Sequence, residues 1–175
     1  QKFNWVAVIH PINLAEKGSY EVDFVSQKNS NYELRLRTER NLDFTEQDCR
    51  LGIKTYKIEE CRTYPEQYNI TWSVHHGNQL ISSGASNETT SGFWGSKMGK
   101  NLSQFRTSIG ERYKIKAQVV QIDPILATTS PALEVSIGRM AHKGAFVIAS
   151  LIHYAVIILC GLAIIVFLIG VFVRR

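Results

Sequence analysis

The chain has 175 residues, a formal net charge of +5 and a sequence pI near 9.2, with 45% hydrophobic residues and three cysteines. A basic excess this small and this scattered does not argue for nucleic acid, and no nucleic-acid partner is expected. With 12 Gly and 4 Pro, the chain is no low-complexity disordered segment.

Alternation with period two dominates the first part of the chain. Phe3, Trp5, Ala7 and Ile9 alternate with Asn4, Val6, Val8 and His10 until Pro11 ends the run. Tyr20, Val22 and Phe24 are interleaved with Glu21 and Asp23; Tyr32, Leu34 and Leu36 with Glu33, Arg35 and Arg37. Such runs are half-buried strands, one face apolar and one in water. The polar stretch from Gln27 to Ser30 joins the last two as a hairpin. From Thr38 to Gln67 the pattern stops; this charged, irregular segment carries Cys49 and Cys61. A lone cysteine pair in a loop-rich region suits a disulfide in an oxidising compartment, two free thiols being the other reading. Neither CxxC nor a paired His-Cys spacing accompanies it, so no metal site is expected.

Strands resume with Ile70, Trp72 and Val74, turn at His76-Gly77-Asn78 and return over Gln79 to Ser82. Gly84 to Gln104 reads as a long glycine- and serine-rich loop. Tyr113, Ile115, Ala117 and Val119 form one face of a long strand, Asp123 to Ser130 is a turn region around Pro124, and Leu133, Val135 and Ile137 form the last strand. About seven strands and no amphipathic helix predict a mainly β fold, an antiparallel two-sheet sandwich, immunoglobulin-like or jelly-roll-like. Gly110-Glu111-Arg112-Tyr113 resembles the corner where a sandwich tyrosine packs as its strand begins.

Gly144 to Val173 contains no Lys, Arg, Asp or Glu and stops at Arg174-Arg175. A bilayer core about 30 Å thick needs about 20 helical residues, and Tyr154 to Val173 supplies them. One C-terminal transmembrane helix is therefore expected, with His153 and Tyr154 at one interface and the arginines at the other. The organisation reads as a sandwich domain over 1–138, a membrane-proximal link and helix start over 139–152, and the span with its short basic end over 153–175. Basic residues flank both ends of the span. From the cysteine pair and a start at Gln1, which fits a removed signal peptide, residues 1–143 are expected outside the cytoplasm. A tail-anchored cytoplasmic protein is the rival topology.

The segments PINLAEKGSYEVDF, YELRLR, ITWSV, GERYKIKAQV and PALEVSIG resemble uncharacterised exported bacterial β-sandwich proteins over Pro11 to Gly138. That resemblance implies a periplasmic sandwich without catalytic residues. The bacterial inner membrane facing the periplasm is the expected location, with a eukaryotic secretory or surface membrane as the alternative.

No enzyme motif is present, and no cofactor, metal or catalytic residue is expected. His75 and His76 are strand neighbours facing opposite sides, which cannot grip one metal without a third element. Asp43, Glu46, Asp48, Glu59 and Glu60 lack any recognised calcium spacing. Phe93 and Trp94, between Gly92 and Gly95, have no strand to bury them by pattern; they read either as a cap on the sandwich or as a partner or headgroup contact. Ala155, Cys160, Gly161 and Ala163 are small residues in one half of the span, a candidate contact with a partner helix. Asn69, Asn87 and Asn101 fit the glycosylation pattern in a eukaryotic setting, Asn87 and Asn101 being the more accessible.

The functional expectation is a non-enzymatic accessory or scaffold subunit of a larger membrane complex. Its partners would be membrane lipid and other membrane subunits, with no nucleic acid and only a weakly indicated homo-oligomer. A membrane-tethered recognition module for a glycan or an exported toxin, an immunity protein included, is the second reading.

Overall fold

Alternating side chains need partner strands, and the chain supplies them in two antiparallel sheets. The computed structural model describes residues 6–53 and 59–137. Its strands are β1 (Val6–Pro11), β2 (Gly18–Val25), β3 (Ser30–Glu39), β4 (Asn69–His76), β5 (Gln79–Ala85), β6 (Gly92–Trp94), β7 (Lys97–Thr107), β8 (Arg112–Gln121) and β9 (Ala132–Ile137). One sheet has the order β1-β9-β3-β7-β6, the other β2-β8-β4-β5. The fold is mainly β and sandwich-like. Contacts divide the chain into a unit Gln1–Gly138 and a second unit Arg139–Arg175. Phe3, Trp5, the link, the apolar run and its residues Ala155, Cys160, Gly161 and Ala163 lie outside the described residues. Among the described residues, no helix is long and apolar enough to cross a membrane.

The inward rows read from the sequence are the core. Val22 and Phe24 of β2, Tyr32, Leu34 and Leu36 of β3, Ile70, Trp72 and Val74 of β4, Tyr113 and Ile115 of β8 and Leu133, Val135 and Ile137 of β9 are all buried. Each such side chain contributes roughly 1.5–3 kcal/mol on leaving water. Tyr113, the second residue of β8, accepts a hydrogen bond from the Ser108 N–H at 3.0 Å and stacks on Phe24 at 5.5 Å. The tyrosine corner is thus in place.

Two expectations need correction. The stretch Gly84 to Gln104 is no loop: it holds β6 and most of β7, which pairs with β3 along its whole length. Polar and glycine positions hid the alternation. A Cβ on Gly99 would run into the Leu36 carbonyl oxygen and the Phe93 ring, so close strand approach, not burial of a side chain, sets that residue.

An amphipathic helix also precedes the C-terminal run. α1 (Phe44–Leu51) starts at Asp43, whose side chain accepts from the N–H groups of Thr45 and Glu46, and stops at Gly52 with φ of 67°. Ile53 N–H bonds back to the Asp48 carbonyl at 3.2 Å, closing the helix end. The buried face of α1 includes Gln47, Asp48, Cys49 and Arg50. A helix that buries polar groups escapes a search for an apolar stripe. A short second helix, α2 (Pro124–Ala127), lies within the predicted turn region.

Candidate functional site

The sandwich has two unlike ends. Strand directions bring α1, α2, the 3-10 turn Glu60–Arg62 and the β6–β7 turn to one end. Tight turns between β2 and β3, β4 and β5, and β7 and β8 occupy the other, where β9 also finishes. The helical end is held by a Cys49–Cys61 disulfide, with Cα atoms 5.0 Å apart. Cys49 is buried on α1 and Cys61 half-buried in the 3-10 turn.

Beneath that end lies a set of ionic pairs. Arg50, 7% exposed, donates from Nε to Glu46 at 2.8 Å and from a terminal nitrogen to both oxygens of Asp123 at 3.3 and 3.4 Å. Burial alone would lower the Arg50 pKa, but Glu46 and Asp123 hold it above the ordinary value. Asp123 is fully buried and caps α2 through the N–H groups of Ile125 and Leu126, each at 3.0 Å. Lys100 of β7, also fully buried, reaches Glu66 at 2.6 Å. Tyr68 donates to the Leu51 carbonyl at 3.1 Å.

Desolvation first, then the Glu66 and Asp123 charges, push the Tyr68 pKa well above the ordinary tyrosine value. An unfolded chain would lose that phenol proton near pH 10, while the folded one keeps it. The unfolded state then binds fewer protons, so stability falls as pH rises above about 10, by up to about 1.4 kcal/mol per pH unit from this group. Urea unfolding of the wild type and Tyr68→Phe at pH 8 and 11 measures this contribution. Equal losses of stability in the two proteins would remove Tyr68 as its source.

A second ionic array covers the outward face of the five-stranded sheet. Glu33, Arg35, Glu134, Arg37, Glu39 and Lys97 form a chain of ion pairs across β9, β3 and β7. It is unusually dry for an outer face, Arg35 being 8% and Glu134 7% exposed. Five buried side-chain polar atoms among the described residues lack a hydrogen-bond partner, and four belong to this face: Arg35 Nε, Arg37 Nε, Asn101 Oδ1 and Ser136 Oγ. The Arg35 guanidinium lies 5.0 Å from the centre of the Phe93 ring. Next to Phe93 on edge strand β6, Trp94 is 54% exposed, and Arg40 ties the adjoining turn by donating to the Gly95 carbonyl at 3.1 Å. A cleft of about 420 Å³ borders the array, lined in part by Arg37, Glu39, Ile12 and Pro131.

The aromatic pair is therefore divided: Phe93 is packed under Arg35, and Trp94 stands out from the helical end. Asn87 is exposed in a 3-10 turn (Ser86–Glu88). The accessible loop read for Asn101 is instead β7, where its Nδ2 donates to Ser91 Oγ at 3.0 Å. Asn69 is half-buried and accepts from Ser86 Oγ at 3.1 Å. His75 and His76 hold different partners, Ser73 and Glu111. Asp43 caps α1 and Glu46 pairs with Arg50, while Glu59 and Glu60 are exposed.

Arg50, Lys100, Glu66 and Asp123 escaped the sequence reading. Asp123-Pro124 is a helix-start signal that marks one of them; nothing local marks the burial of Lys100.

No family model and no curated protein matches this chain. It is similar in fold to a crystal structure of a protein from Sulfurospirillum deleyianum, with a TM-score of 0.55 and 14% identity over 75% of this chain and 97% of that one. The weak resemblance to bacterial proteins read from the strand segments extends to this shared fold.

Proposed function

We propose that the chain is a non-enzymatic accessory subunit, an extracytoplasmic sandwich anchored by Gly144 to Val173 and docked on a larger membrane complex. The observation that carries this reading is the junction of exposed Trp94 with the Phe93–Arg35 stack on a dry, ion-paired face. Tryptophan and arginine are the residue types that dominate protein–protein interfaces. The buried ionisable groups near it are engaged in structural pairs, which favours docking over catalysis. The disulfide supports an oxidising compartment for the sandwich, and the small residues Ala155, Cys160, Gly161 and Ala163 would pack against a partner helix.

The test is purification of the full chain from its native membrane in mild detergent. Trp94→Ala is expected to lower recovery of the copurifying subunits at least about tenfold while the chain stays membrane-bound. Unchanged recovery would place the contact elsewhere. The cleft favours a second reading, a tethered recognition module, because about 420 Å³ falls in the size range of small-ligand sites. Binding of a glycan that survives Trp94→Ala but is lost in Arg37→Ala would favour that module.

A further inference from the structure

The end of the sandwich opposite Trp94 has a character of its own. β9 finishes there at Ile137, paired with Tyr32 near the start of β3. In the sequence, residues 138–143 lie between Ile137 and the apolar run. The same end presents Ile109, 61% exposed, and Val25, 48% exposed. Ile109 is a large aliphatic side chain in the β7–β8 turn, where polar residues are the norm, and Val25 closes β2 opposite Arg112. The turn backbone is held: Ile109 N–H donates to Asn29 Oδ1 at 2.7 Å and Gly110 N–H to the Ser26 carbonyl at 2.8 Å. Gly110 has φ of 82°, a conformation that favours glycine.

Exposed arginines flank these tips. Arg106 and Arg112 form no ion pair among the described residues, and the neighbouring carboxylate Glu111 is engaged with His76 at 3.0 Å. Rigid aliphatic tips between unpaired cations suit the boundary between acyl chains and anionic headgroups, where apolar burial and charge attraction act together. A preformed tip also loses little conformational entropy on insertion.

We infer that this end is a lipid-contact surface: Ile109 and Val25 enter the headgroup region of an anionic bilayer, and Arg106 and Arg112 pair with its phosphates. The inference rests on the reading that Gly144 to Val173 anchors the chain.

The experiment uses the full chain in nanodiscs of phosphatidylcholine, with or without phosphatidylglycerol. Cys160→Ser leaves the oxidised Cys49–Cys61 pair unreactive, so an environment-sensitive maleimide probe can be attached at Ile109→Cys or, as a control, at Asn87→Cys. The Ile109→Cys probe is expected to shift to the blue and be quenched by a lipid-borne quencher in anionic discs, while the Asn87→Cys probe behaves as in water. Each arginine near an anionic surface favours the engaged state about fivefold, so Arg106→Glu with Arg112→Glu should lower the ratio of engaged to free states by at least about 25-fold.

Chain that enters the discs with both probes equally in water overturns the surface and leaves the anchor standing. Equal quenching at Ile109→Cys in neutral and anionic discs overturns the role of the arginines. Chain that fails to enter discs overturns the anchoring reading, and the surface falls with it.

Discussion

Asp123→Ala is expected to destabilise the sandwich by about 3–5 kcal/mol, because removing one member of a buried ion pair strands the other. Arg50 would keep Glu46 and the Tyr64 ring 6.0 Å away, but lose the carboxylate that reaches it from outside α1. The same substitution uncaps α2 by removing the acceptor for Ile125 and Leu126 N–H. Asp123→Asn retains a good capping side chain without the charge and should fall between the wild type and Asp123→Ala. Urea unfolding of the three proteins decides it, and a cycle with Arg50→Met separates the pair from the cap. A loss under about 1 kcal/mol in Asp123→Ala would show that the site relaxes or admits water.

Loss of the disulfide ranks next. Cys49→Ser with Cys61→Ser is expected to cost about 3 kcal/mol, since the bond closes a loop with a sequence separation of 12. For a domain of this size that lowers Tm by about 10 °C. α1 carries its own caps at Asp43 and Gly52, so its helix should survive; the segment after Gly52 loses its tie. Thermal unfolding with and without reductant gives the comparison. Reductant that lowers the wild-type Tm to that of the double variant, and leaves the variant unmoved, is the expected pattern. A reduced wild type as stable as the oxidised one would mean that packing of Leu51 and Tyr68 holds this segment by itself.

These sites differ in how much of them was legible. The inward rows of β2, β3, β4, β8 and β9 could be read because a period-two pattern is local and each strand buries one face. The cysteine pairing followed from a count of two candidates outside the apolar run. β7 was missed because Gly99 and fully buried Lys100 interrupt the apolar row that marks a strand. α1 was missed for a related reason, its buried face being built from Gln47, Asp48 and Arg50. Its cap signals, Asp43 before and Gly52 after, were there to be read.

Sequence alone determined which side chains face inward along most strands, which cysteines were available to pair, and where a charge-free run long enough to span a bilayer lies. Tertiary structure decided that β1 and β3 flank β9 in one sheet while β2 joins β8 in the other. It also decided that Arg50 meets Asp123, and that Trp94 and Ile109 stand at opposite ends. The physical reason is range. Alternation and capping act over a few residues, whereas strand partners, buried ion pairs and the ends of a sandwich are set by contacts between distant segments. Their energies depend on the whole core closing around them.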